Sequence, residues 1–280
     1  MFISLSKNRF SPNFKEMSFS NKIRGLKEIW QFDNRWQLFV SRLLFSNENI
    51  NIYRYKGLEI LIDHSAGDAN GAREVLTSPM YRQFLTKMKL PPKIKVLDLG
   101  ANNGGFPLLL KAENFEIEKL VCVEFNPNTF SRLQFNIQRN FNTDYKGLNV
   151  AVCGEKCQIK TLLGKGSTSD SIYKNGTKNG NLINIEGITF DEIFRSNFGD
   201  EIVDVCKMDV EGAEFDIFAK ENHNSITKCR NLLIEIHHEK EKPREEIIEK
   251  LGILGFIEKN GENKKEPDLH YVHFFVNENL

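Results

Sequence analysis

Val96-Leu97-Asp98-Leu99-Gly100-Ala101-Asn102-Asn103-Gly104-Gly105-Phe106 reads as a buried strand running into a glycine turn and then a helix. Its glycines fall as G-x-x-x-G-G. The G-x-G-x-x-G spacing that sets a dinucleotide pyrophosphate on a helix N-terminus is absent. Asp98 stands at the carboxyl end of the strand, where open α/β sheets bind ligands, and a carboxylate there repels a pyrophosphate but attracts an ammonium group. The turn therefore suits a phosphate-free cofactor carrying an amino group, and S-adenosylmethionine has both that group and a sulfonium.

The next apolar run, Leu120-Val121-Cys122-Val123-Glu124-Phe125, ends in a single acid, and Asn126-Pro127 then opens a helix. A carboxylate at the tip of the second strand, about twenty residues past the glycine turn, can accept hydrogen bonds from both ribose hydroxyls. Glu124 is the expected ribose ligand.

From Pro91-Pro92 onward, apolar strands alternate with helices. Strands are expected at Lys95 to Leu99, Leu120 to Phe125, Leu148 to Cys153, Val203 to Asp209 and Leu232 to His237. Helices are expected near Gly105 to Glu113, Pro127 to Asn140, Glu214 to Lys220 and Arg244 to Leu254. Such alternation implies a parallel sheet covered on both faces. With a closing antiparallel hairpin from Phe256 to Lys259 and Tyr271 to Val276, the pattern predicts a doubly wound, mostly parallel seven-stranded α/β sheet. Residues 1–90 read as an α-rich extension holding a hairpin at Asn51 to Tyr55 and Leu58 to Ile62 and a helix at Tyr81 to Met88. Residues 91–280 then form the main domain. Residues 154–190, rich in Gly, Asn, Lys, Ser and Thr, read as an inserted segment of short strands and loops, with turns at Gly164-Lys165-Gly166 and Asn179-Gly180-Asn181.

Composition narrows the function classes. Lys and Arg number 38 and so do Asp and Glu, so no global charge draws the chain to nucleic acid or to an anionic membrane. The five cysteines are scattered without a C-x-x-C pair, as expected of small core residues in a reducing cytoplasm. No run is long enough to span a bilayer. Phe10, Phe14, Phe19, Trp30, Phe32 and Trp36 mix with Lys and Arg, which leaves peripheral membrane contact open. At helical spacing, aromatics more often mark a buried face, so a helical extension packed on the core is the expectation.

The chemistry gathers after the fourth strand, in Cys206-Lys207-Met208-Asp209-Val210-Glu211-Gly212-Ala213-Glu214. Alternation puts Lys207, Asp209 and Glu211 on one side, with Asp209 at the carboxyl edge of the sheet. Glu211 and Glu214 also stand at a helix N-terminus, where simple capping accounts for acids equally well. Asp209 closes an apolar strand and needs a partner, which a cofactor, a substrate hydroxyl or Lys207 can supply. The fifth strand ends Ile234-Glu235-Ile236-His237-His238, so Glu235 and His237 reach the same edge, and a histidine of near-neutral pKa can accept a proton from a hydroxyl. Asp209, Glu211, Glu235 and His237 also resemble a metal-ligand set. Strand-end polar residues commonly do, and no metal is assigned.

These segments, with Asn149-Val150-Ala151-Val152 and Ile188-Thr189-Phe190-Asp191-Glu192 between them, resemble the FkbM-type S-adenosylmethionine-dependent methyltransferases in content and order over about residues 95 to 240. The K-x-D-x-E-G-x-E segment is the most specific match. The resemblance implies a class I methyltransferase fold and O-methylation of a hydroxyl group, of a sugar, a glycan or another small metabolite. It implies cofactor contacts from Asp98, Gly100, Ala101, Asn103, Gly104, Glu124, Phe125, Asn126 and Asp209, with Ala151 and Val152 at the adenine edge. Asp209, Glu211 and His237 would then be catalytic, and Arg73, Glu74 and Glu235 would bind substrate. The alternative is a catalytically silent protein of this fold that recognises a partner through its N-terminal extension. A dehydrogenase fits least, for want of the dinucleotide spacing.

Overall fold

A computed structural model describes residues 25–44, 49–66, 68–163, 181–220, 224–237, 243–259 and 272–280. Helix α1 (Arg35–Leu44) precedes the hairpin β1 (Ile50–Tyr55) and β2 (Leu58–Asp63), and the short helices α2 (Glu74–Thr77) and α3 (Arg82–Leu85) follow. The hairpin turns on Lys56 (φ 47°) and Gly57 (φ 81°). Two left-handed residues in succession make the type I′ turn that matches strand twist. The helix expected over Tyr81 to Met88 is shorter, ending at Leu85, three residues after it starts.

The main sheet is built from β3 (Lys93–Leu99), β4 (Glu116–Val123), β5 (Asp144–Leu148), β9 (Val203–Met208), β10 (Cys229–Glu235), β11 (Phe256–Glu258) and β12 (Val272–Asn277). Their order across the sheet is β11-β12-β10-β9-β3-β4-β5. Neighbours from β10 to β5 pair parallel, and β12 runs antiparallel between β10 and β11. The number of strands and the closing antiparallel pair are as the sequence predicts. Helices α4 (Gly105–Ala112), α5 (Pro127–Asn140), α6 (Phe190–Phe198), α7 (Glu214–Lys220) and α8 (Glu245–Ile253) cover it.

Alternation along each strand divides the core. Val96, Leu120, Val205 and Leu233 face one layer with Phe106, Leu109, Leu133, Phe32, Tyr53 and Ile60. Their neighbours Leu97, Val121, Cys206 and Leu232 face the other, with Phe190, Phe194, Phe218 and Leu251. The hairpin, α1 and α5 thus share one core with the first face. Within the N-terminal aromatics Phe32 is buried, but Trp30 and Trp36 are 56% and 63% exposed, against the expectation that they pack inward. Phe10, Phe14 and Phe19 lie outside the described residues.

The third strand departs from the sequence reading. The sheet takes β5, Asp144–Leu148, whereas Ala151–Cys153 (β6) joins a separate three-stranded sheet with β7 (Cys157–Leu163) and β8 (Asn181–Thr189). β5 is an edge strand, half solvated, so it lacks the apolar run that marks a central strand. Among the described residues of the inserted segment, β7 and β8 pair antiparallel. The turn at Gly164-Lys165-Gly166, most of that at Asn179-Gly180-Asn181, and the loop from Gly261 to Asp268 lie outside the described residues.

Candidate active site

The glycine turn is fixed from both sides. Gly100 (φ 72°) and Ala101 donate their N–H groups to Val123 O at 3.0 and 2.9 Å. Asp209 N donates to Leu99 O at 3.0 Å, which lays the segment after β9 directly over the turn. A Cβ on Gly100 would sit 1.7 Å from Asp209 O, so only glycine allows this approach. Gly104 (φ 93°) then starts α4. Above the turn passes the strap 68–73, where Asn103 Oδ1 accepts from Ala72 N at 2.8 Å.

Glu124 bridges the two loops that frame the turn. Its Oε2 accepts from Asn102 N at 3.0 Å and its Oε1 from Asn126 N at 2.8 Å. Asn126, expected beside the cofactor, caps α5, accepting from the N–H of Asn128 at 3.0 Å and of Thr129 at 3.4 Å. Ala151 and Val152 are buried just beyond the β4–β5 edge, Ala151 packing with Phe125.

Asp98 is fully buried, and among the described residues neither of its carboxylate oxygens has a hydrogen-bond partner. Lys207 Nζ stands 3.3 Å from Asp98 Oδ1 and 3.3 Å from Asp209 Oδ2, ion pairs rather than directed hydrogen bonds, and donates to Gly100 O at 2.8 Å. Burial works against the Lys207 ammonium, but the negative field of Asp98, Asp209 and Glu235 outweighs it and holds its pKa well above the usual lysine value. Burial pushes the Asp98 carboxyl up, with Lys207 opposing. We read the pair as charged, because one ammonium faces two carboxylates within 3.3 Å. The ring of Tyr81 lies 6.0 Å from the ammonium.

The parallel neighbours β9 and β10 bring the remaining acids to the same edge. His237 Nε2 lies 3.8 Å from Asp209 Oδ1, 3.7 Å from Glu211 Oε2 and 4.0 Å from Glu235 Oε1, while Nδ1 meets Glu214 Oε1 at 3.0 Å. Burial alone would lower the His237 pKa. The hydrogen bond to Glu214 and the charges of Glu214, Asp209 and Glu211 reverse that and raise it to about 9. At neutral pH His237 is an imidazolium with no lone pair to accept a proton, unlike the near-neutral histidine expected from sequence. Glu235 is pushed up to about 8 by burial first and by Asp209 second. Asp209, Glu211 and His237 could between them offer ligand atoms to a cation, all within 4.8 Å of one another.

Glu214 holds the edge in shape. It is fully buried, and its Oε1 and Oε2 accept from Val210 N at 3.1 Å and Gly212 N at 2.9 Å. Glu211 (φ 53°) and Gly212 (φ 103°) are both left-handed in this turn. Glu214 thus ties the loop that precedes α7 to His237. Arg73 stands apart from the cluster, its Nε on Glu28 Oε2 at 2.8 Å, and Glu74 begins α2 beside it. Lys207 and Glu214 are the members of the site that sequence reasoning left out of its site residues, although both lie in the K-x-D-x-E-G-x-E segment. A lysine between Cys206 and Met208 in a buried strand is the signal for the first.

The model of the methyltransferase FkbM domain matches residues 98–262, more than half of the chain. This chain belongs to the FkbM methyltransferase family. A crystal structure of an FkbM methyltransferase from Methylobacillus flagellatus KT is similar at a TM-score of 0.50 and 14% identity, over 93% of this chain and 60% of that one. The chain thus spans about three fifths of that protein's length, and at this identity the likeness shows the fold. Fibrillarin of Aeropyrum pernix, solved with natively bound S-adenosyl-L-methionine, is similar at a TM-score of 0.42 and 18% identity, covering 81% of this chain and 82% of that one. A comparison with curated proteins gives no match. The FkbM methyltransferase family uses S-adenosylmethionine. One feature of this chain fits that cofactor: the buried Asp98 oxygens, which have no hydrogen-bond partner among the described residues.

Proposed function

We propose that this chain catalyses S-adenosylmethionine-dependent O-methylation of a hydroxyl group, on a sugar, glycan or other small metabolite. The observation that carries this reading is the convergence of Lys207, Asp209, Glu211, Glu235 and His237 on the edge that Gly100 joins to the cofactor turn. When bound, S-adenosylmethionine supplies a methyl group on an electrophilic sulfonium, so the chain's own task is to place and deprotonate the acceptor oxygen.

Asp98 and the turn from Gly100 to Gly104 hold the methionine end, and Glu124, a carboxylate just past β4, the ribose. Asp209, a quarter exposed and flanked by Lys207 and His237, accepts the hydrogen bond of the acceptor hydroxyl. His237, an imidazolium with its Nε2 3.8 Å from Asp209 Oδ1, orients that side chain. Glu235, raised to about 8, is largely protonated at neutral pH, so only its ionised minority takes up the released proton and turnover should rise as pH climbs toward 8. The balanced charge favours a neutral or small acceptor over nucleic acid. Five free thiols, four of them buried, suit a cytoplasmic setting.

The test is transfer of labelled methyl from S-adenosylmethionine to a panel of hydroxylated glycans, with Asp209→Asn as comparison. A fall of roughly 10²- to 10⁴-fold in turnover with cofactor affinity kept supports the reading. Loss of cofactor affinity in the folded variant would place Asp209 on the cofactor side instead.

A further inference from the structure

Helix α1 is built inside out. Its one buried residue is Leu38, whereas Trp36, Phe39, Val40, Leu43 and Leu44 are 41–68% exposed. These positions follow i, i+3, i+4, i+7, i+8, the spacing of one continuous apolar stripe. Trp30 extends it, its ring 5.1 Å from that of Trp36, edge to face. Eight of the thirteen exposed large hydrophobics among the described residues fall between Leu26 and Ile50. Single exposed hydrophobics are ordinary, but a contiguous stripe marks a surface that something covers.

Charge indicates what covers it. Residues 1–44 hold eight Lys and Arg against three Asp and Glu, in a chain that is neutral as a whole. Within α1 stand Arg35 and Arg42 and no acid, with Arg35 5.7 Å over the Trp30 ring and Arg42 exposed. A second copy of this chain would bring like charge against like. An anionic bilayer instead takes the apolar stripe among its acyl chains, the tryptophans at the headgroup level and the cations against its phosphates.

We propose that α1 docks this enzyme on an anionic membrane surface, lying in the interfacial plane with Trp30, Trp36, Phe39, Leu43 and Leu44 inserted. Trp30 and Trp36 are the chain's only tryptophans, so fluorescence excited selectively at tryptophan reports on this surface. The full chain is titrated with vesicles of phosphatidylglycerol and phosphatidylcholine, and with phosphatidylcholine alone. The expected result is a blue shift and co-sedimentation with the anionic vesicles that weakens at high salt. Leu43→Gln/Leu44→Gln, at positions 68% and 67% exposed, should weaken binding at least about tenfold with S-adenosylmethionine affinity unchanged. Three results would overturn the proposal: no spectral change with a monomer in light scattering, a dimer that the double variant dissolves, or vesicle binding indifferent to the double variant.

Discussion

Gly100 is the residue on which both halves of the site depend. Its left-handed φ and the 1.7 Å gap to Asp209 O mean that Gly100→Ala cannot be absorbed by a flexible side chain, because the clash is with backbone. The expected outcome is loss of S-adenosylmethionine binding and of turnover together, measured by calorimetry and methyl transfer. Glu214 is a positioning residue of a different kind. It fastens the loop from Val210 to Gly212 and raises the His237 pKa. Glu214→Gln should keep much of the loop geometry but bring the His237 titration, followed by NMR, down from about 9 toward ordinary histidine values. An unmoved titration would show that Asp209 and Glu211 suffice.

At the scale of elements, the edge strand β2 is protected by two asparagines one turn apart on α5. Asn136 accepts from Leu61 N at 2.7 Å and donates to Leu61 O at 3.2 Å and to Asn103 O at 2.8 Å. Asn140 does the same for Glu59, at 2.9 and 2.8 Å. Each amide stands in for a neighbouring strand. Asn136→Ala would strand the Leu61 and Asn103 groups, a loss of roughly 1–3 kcal/mol in denaturant unfolding. None of this was legible in sequence, because asparagines on a polar helix face carry no pattern. The central strands and α5 were legible, since burial on both faces and an Asn-Pro start leave a local signature. β5 was not, because a half-solvated edge strand has none, and the apolar run at Ala151 belongs to another sheet. In the site, Asp98, Glu124 and Asp209 could be read from their strand ends. Arg73 could not, since its pairing with Glu28 joins residues 45 apart in sequence.

Across the whole molecule, the buried edge makes stability depend on pH. The His237 pKa rises from 6.5 to about 9 on folding, so its contribution is complete below 6.5 and is lost as pH rises toward 9. Glu235 rises from 4.5 to about 8, so the folded chain also holds that proton more tightly, and this contribution is complete below 4.5 and is lost as pH climbs toward 8. From these two groups thermal midpoints should fall as pH rises from 4.5 to 9, and Glu235→Gln should flatten the part of that slope below about pH 8. No helix among the described residues is long and apolar enough to cross a membrane. The central claim, that the Asp98, Gly100 and Glu124 cradle holds S-adenosylmethionine, is tested most directly by calorimetric titration of S-adenosylmethionine and S-adenosylhomocysteine into the wild-type chain and Glu124→Ala. Binding of both ligands to wild type, weakened by at least about tenfold in the variant, is the predicted result; folded wild type that binds neither ligand would contradict it.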